Sequence, residues 1–225
     1  MTPEQKVIRG LEALLTRLQG INDRLQKKYP KNDLRLVAIG LPGNALHSYV
    51  IFYGMVEYTL VHRSWWQAAY GKKELSPRDM RAVRNLESIT RHSFFVFYLS
   101  RIEWTLRKLV TYMSPGECLN GNADFKQIYD HVLRKLNLKK YVALYDVCRT
   151  IRNSVHNNGH YISKKGTDLV LHWNGNNYQF EHQKPISFLT SDKWLELSGN
   201  LIDSLEEILQ QPSIEAPKFI EDKIH

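Results

Sequence analysis

Cysteine is scarce: Cys118 and Cys148 are the only two in 225 residues. Two thiols make neither a disulfide framework nor the spaced cluster a zinc site needs, and a reducing cytosol is their simplest setting. The opening Met1-Thr2-Pro3-Glu4-Gln5-Lys6 holds no signal-peptide apolar core. There is no Gly-rich phosphate loop, no Ser/His/Asp set, no acid pair of glycosidase type, no repeat and no low-complexity tract. The longest apolar run, Leu41 to Val61, contains His47, Gly54 and Glu57 and closes at His62-Arg63. A membrane span needs about 20 mostly apolar residues. An uncompensated Glu57 is costly in lipid, so the run reads as a buried helix. The expectation is a cytoplasmic protein with no metal, no cofactor and no membrane association.

What is present is positive charge. Lys and Arg number 31 against 23 acids, a net charge of +8 with a pI near 9.4. That excess favours polyanionic partners, nucleic acid first and an acidic membrane surface second. A composition 43% hydrophobic and 24% charged supports a substantial core and excludes a disordered type.

Hydrophobic spacing predicts a helix over residues 3–28, with Val7, Leu11, Leu14, Leu18, Ile21 and Leu25 alternating four and three apart. Tyr29-Pro30 and Gly40-Leu41-Pro42-Gly43 read as breaks on either side of a short segment. Residues 1–40 thus form an N-terminal helical piece that docks on the bundle or on a second copy. A second helix follows over 44–70. Ser76-Pro77-Arg78-Asp79 opens a third, to about Met113. Ser114-Pro115-Gly116 and Asn120-Gly121-Asn122 are breaks before a short helix over 123–137. After Gly159 the period changes. Segments 160–164, 168–173 and 177–182, with Asn174-Gly175 between the last two, read as a three-stranded antiparallel meander. Ser191-Asp192 caps a last helix through Leu209, and the tail 211–225 reads as loose. The fold class is mainly α: an antiparallel helical bundle over 41–210 with a small β-meander (160–182) near the C-terminus.

The chemistry lies in one helix beginning near Lys139. At about 100° per residue, Leu144, Val147, Cys148, Ile151 and Val155 share one arc, and Tyr145, Arg149, Arg152, Asn153 and His156 the opposite one. Gly159 is the stop signal. Fixed cations beside a group that titrates near neutral pH suit phosphate chemistry; the alternative is a merely solvated basic face. His156 and His160 have the spacing of a metal-binding pair, but Gly159 ends the helix between them, so zinc is not expected. Glu57 and Glu103 lie in apolar helices and need partners. An arginine of the stripe is one candidate, a surface lysine the other. The Arg81-Ala82-Val83-Arg84-Asn85 run, with His92 seven residues beyond, echoes the motif as chance or as a secondary basic face.

An arginine followed by a polar residue and then a histidine, closing a helix of an all-α bundle, resembles the HEPN family (higher eukaryotes and prokaryotes nucleotide-binding). Its usual spacing puts four to six residues between Arg and His, often with a polar residue directly after the Arg. Here six residues separate Arg149 from His156, while Arg152 has the adjacent Asn153 but only three residues between it and His156. Which arginine acts is left open. The resemblance implies a metal-independent endoribonuclease that uses the RNA 2′-hydroxyl as nucleophile and leaves a 2′,3′-cyclic phosphate. Arg149, Arg152, Asn153 and His156 would be catalytic. Beside them Tyr145, Asn157 and His160 are candidate RNA-binding residues, Tyr145 and His160 by stacking; the alternative for Tyr145 is packing against a neighbour. It also implies a homodimer with the motifs facing across the interface, and a toxin or phage-defence role with an antitoxin or a minimal nucleotidyltransferase as protein partner. The alternative is a non-catalytic module that binds RNA, a nucleotide or a protein.

Overall fold

The computed structural model describes residues 2–117 and 123–221. Cys118 and the Asn120-Gly121-Asn122 break lie outside the described residues. The protein is a mainly helical bundle with one small antiparallel sheet near the C-terminus.

Helix α1 (Pro3–Gln26) starts at a capping box in which Thr2 and Gln5 satisfy each other's amides. Its seam, Val7, Leu11, Leu18 and Ile21, is buried against α2 (Leu34–Met55) and α7 (Ser191–Leu209). Helix α2 begins ten residues earlier than its sequence suggests, capped by Asp33, and runs straight through Gly40-Leu41-Pro42-Gly43. An interior proline costs a helix about 3 kcal/mol. Leu34, Ile39, Leu46, Tyr49 and Tyr53, all buried, anchor the helix on both sides of Pro42 and outweigh that local preference. A π turn at Val56–Leu60 ends it, and Arg63–Tyr70 forms a separate helix, α3, with no buried residue. The apolar stretch Leu34–Leu60 has the length and composition of a membrane span, but its inner side packs into the bundle core.

Helix α4 (Pro77–Met113) opens on the Ser76–Asp79 capping box read from its sequence. Asp124 caps α5 (Phe125–Lys135), and a single 3-10 turn leads into α6 (Val142–His156). Strands β1 (Leu169–Trp173) and β2 (Asn176–Phe180) pair antiparallel around Asn174 and Gly175, whose φ angles of 47° and 73° are those of a type I′ turn. The expected third strand does not form. His160 makes only an isolated bridge to Pro185, and Tyr161 pairs with Lys184 and Gln183 beside the hairpin. Thr190, not Ser191, caps α7.

The tail is packed rather than loose as far as Glu221. Residues Pro212–Glu215 form α8, Ile214 and Ile220 are buried, and Asp33 bridges Glu221. Arg35, 0% exposed, forks onto Asp33 at 2.7 and 2.6 Å and donates to the carbonyls of Ile214, Glu215 and Pro217. Tyr29 lies under the guanidinium at 3.3 Å. Local sequence around Gln211 contains no sign of this clasp, because its partner is about 180 residues away.

Candidate functional site

Helix α6 buries one side along its whole length. Tyr145, placed on the polar stripe by helical spacing, is 0% exposed: its ring stacks on Tyr129 of α5 at 5.2 Å and its hydroxyl meets Ser204 of α7 at 2.8 Å. It is a core residue and cannot stack on RNA. Burial raises its hydroxyl well above the usual tyrosine range, so it also stays protonated. Cys148 is buried on the apolar arc as read, and burial pushes its thiol up as well. Past Cys148 the helix still buries Thr150, Ile151 and Ser154, while its other face carries half-buried Arg149 and Arg152 and exposed Asn153 and His156.

The two arginines are held differently. Arg152 donates from Nη1 to Glu103 on α4, and the same carboxylate takes Arg107 Nε at 3.0 Å through its other oxygen. The stripe therefore partners Glu103, one of the two expected acids. Arg152 Nε is buried with no hydrogen-bond partner among the described residues, and the guanidinium lies 5.9 Å from the Phe125 ring. Arg149 has looser ties: Nε to the Tyr129 hydroxyl at 3.3 Å and Nη2 to Asp146 at 3.8 Å. Tyr129 in turn donates to Asp146, and burial together with that acid raises the phenol far above its ordinary value. Glu57, the other acid, has no arginine partner among the described residues. It accepts from Thr2 Oγ1 at 2.9 Å and Gln5 Nε2 at 2.8 Å at the start of α1.

The Asn153 and His156 side chains are exposed and make no hydrogen bond among the described residues. Asn157 closes the helix by donating to the Asn153 carbonyl at 3.0 Å. Gly159, with φ of 81°, bonds back to Ser154, the left-handed ending its glycine predicts. His160 lies past that ending, half-buried, with Nδ1 on the Asn158 carbonyl at 3.1 Å. The stripe therefore unites Arg149, Arg152, Asn153 and His156. It leaves His160 on the following loop and Tyr145 inside. Among the described residues no three His, Cys, Asp or Glu side chains are grouped to hold a metal.

The face is open. Five clefts of 440 to 760 Å³ on the monomer take no wall from Arg149, Arg152, Asn153 or His156. Sequence reasoning gave no weight to another constellation, Tyr53, Glu87, Arg91, His92 and Ser191, which lines the 440 Å³ cleft. The signal was partly legible: Glu87 and Arg91 are four apart on a helix, with His92 adjacent. Arg81, Arg84 and Asn85, the residues of the motif echo, are exposed instead. Comparison with protein-family models, curated proteins and solved structures finds no match to this chain.

Proposed function

We propose that the protein acts on RNA at the exposed end of α6, as a metal-independent endoribonuclease of HEPN type. The observation that carries this reading is the placement of His156 and Asn153, exposed, with Arg149 and Arg152 on the same face. A ribose 2′-hydroxyl supplies the nucleophile. The His156 imidazole takes or gives its proton. The guanidiniums of Arg149 and Arg152 neutralise the charge that builds on the non-bridging phosphate oxygens. Asn153 binds a phosphate oxygen or orients the imidazole. The products are a 2′,3′-cyclic phosphate and a 5′-hydroxyl.

One imidazole supplies half of an acid–base pair, and none of the five clefts described above is walled by the α6 stripe. Both deficits are met by a two-fold dimer that brings the α6 ends together. A cytoplasmic toxin or defence role, with an antitoxin as partner, follows the same reading. The second reading, a module that binds RNA without turnover, is favoured by the carboxylate contacts of both arginines. The test is incubation of the protein with single-stranded and structured RNA in EDTA, followed by end-group analysis. Cyclic phosphate formed by wild type and lost in His156→Ala supports the nuclease. RNA retained on a filter by wild type, with no product, selects the binding module.

A further inference from the structure

The 440 Å³ cleft lies between α4, the start of α1 and the residues leading into α7, and its size is that of a small-ligand site. Its wall is tied to the motif helix: Ile186, a lining residue, donates its amide to the Gly159 carbonyl at 2.9 Å, three residues past His156. The polar groups inside have definite spare capacity. Glu87 Oε1 accepts from the Tyr53 hydroxyl at 2.7 Å and lies 3.6 Å from Arg91, so Oε2 is the oxygen left to accept. Arg91 Nη1 donates to Ser191 Oγ at 3.1 Å, while its Nε is buried without a partner among the described residues. An orphaned buried donor calls for an acceptor. His92 Nδ1 is 2.6 Å from the Ser88 carbonyl. That nitrogen is therefore the donor and Nε2 the bare acceptor.

Charge selects against a simple anion. The lining carries Glu4, Glu87 and Asp192 against Lys6 and Arg91. What suits the cleft is an uncharged group with N–H donors beside an acceptor. We propose that it binds the Watson–Crick edge of an unstacked guanine, as a base-recognition subsite beside the end of α6; the choice of a nucleobase rests on the RNA reading above. Guanine presents N1–H and the C2 amine together to Glu87 Oε2, whose two lone pairs are free, and O6 to Arg91. Adenine reverses the order and sets its N1 lone pair against the carboxylate. Unstacked bases read on this edge are the usual targets of sequence-specific RNA recognition.

The test is calorimetric titration of the full chain with guanosine and with adenosine, nucleosides chosen because they carry no phosphate for the basic surface to attract. Guanosine should bind at least about tenfold more tightly than adenosine, and Glu87→Gln should remove about that factor. Equal or undetectable guanosine binding, or unchanged binding in a folded Glu87→Gln protein, overturns the proposal. If that variant does not fold, diethyl pyrocarbonate modification of wild-type His92 decides. Protection by guanosine and not adenosine supports the subsite; no protection overturns it. RNA cleavage by wild type and His156→Ala, run alongside, keeps the readings apart. Guanosine binding without cleavage removes the nuclease and keeps the subsite, and cleavage without guanosine binding does the reverse.

Discussion

Glu103 of α4 holds Arg152 of α6 across the helix interface, and its other oxygen takes Arg107 of its own helix. The acid is only 9% exposed and Arg152 stands one turn before His156. A charge removed from such a pair leaves its partner desolvated. Fully buried pairs broken this way cost about 3–5 kcal/mol, and Arg152 keeps some access to water, so Glu103→Ala should cost about 2–3 kcal/mol. The midpoint of urea unfolding measures this. A shift no larger than that of an exposed substitution such as Glu12→Ala would refute the structural role.

The clasp at the other end is a stronger case. Arg35 and Asp33 are both 0% exposed, and three carbonyls of residues 214, 215 and 217 converge on the one guanidinium. Arg35→Leu removes the one cation from buried Asp33, leaving it only the amides of residue 35 and Ile220, and takes the guanidinium from those carbonyls, so it should destabilise by about 3–5 kcal/mol. It should also free the segment after Leu209 to proteases. Limited trypsin digestion is the measurement, with early cleavage at Lys218 expected in the variant and not in wild type.

What could be read from the chain depended on how local its cause was. Ser76 and Asp79, Asn174 and Gly175, and Gly159 act within a turn of themselves, and the α4 cap, the hairpin and the end of α6 fall where they predict. Pro42 misleads because the force that overrides it comes from the core packed around Tyr49 and Tyr53. Tyr145 misleads for a related reason. Helical angle places it beside Arg149, but only the cover of Tyr129 and Ser204 makes it core. The Glu103–Arg152 pair was legible as a need, since an acid in an apolar helix requires a partner. The Tyr53–Ser191 side of the second cleft was not, because those residues are 138 apart in sequence.

His92 supplies a pH prediction. Burial, helped by the nearby Arg91 charge, lowers its pKa below the ordinary 6.5, against the opposing pull of the Ser88 carbonyl. The unfolded chain then binds more protons than the folded one between the two values. The His92 contribution to stability is full above about pH 6.5 and is lost as pH falls through the folded value. The NMR titration midpoint of the His92 ring should lie below 6.5. The decline in urea midpoint between pH 7 and 5 should be smaller in His92→Asn than in wild type, and an equal decline in the two would count against this assignment.

The two arginines of α6 should separate by what their loss disturbs. Arg152 is fixed by Glu103, whereas Arg149, with a side chain 31% exposed, has contacts no shorter than 3.3 Å and can turn toward a phosphate at little cost. Arg149→Ala should therefore leave thermal stability within about 0.5 kcal/mol while lowering RNA cleavage by about 100-fold or more, the loss expected when one transition-state donor is removed. Arg152→Ala should lower both, because it also strands Glu103. Lys at 149 keeps the charge but not the fork, so Arg149→Lys should recover only part of the rate. Single-turnover cleavage at saturating protein, with melting curves for each variant, gives the comparison. Unchanged cleavage in Arg149→Ala would move the phosphate contact to Arg152 and turn the Glu103 pair from a support into the element that orients the acting cation.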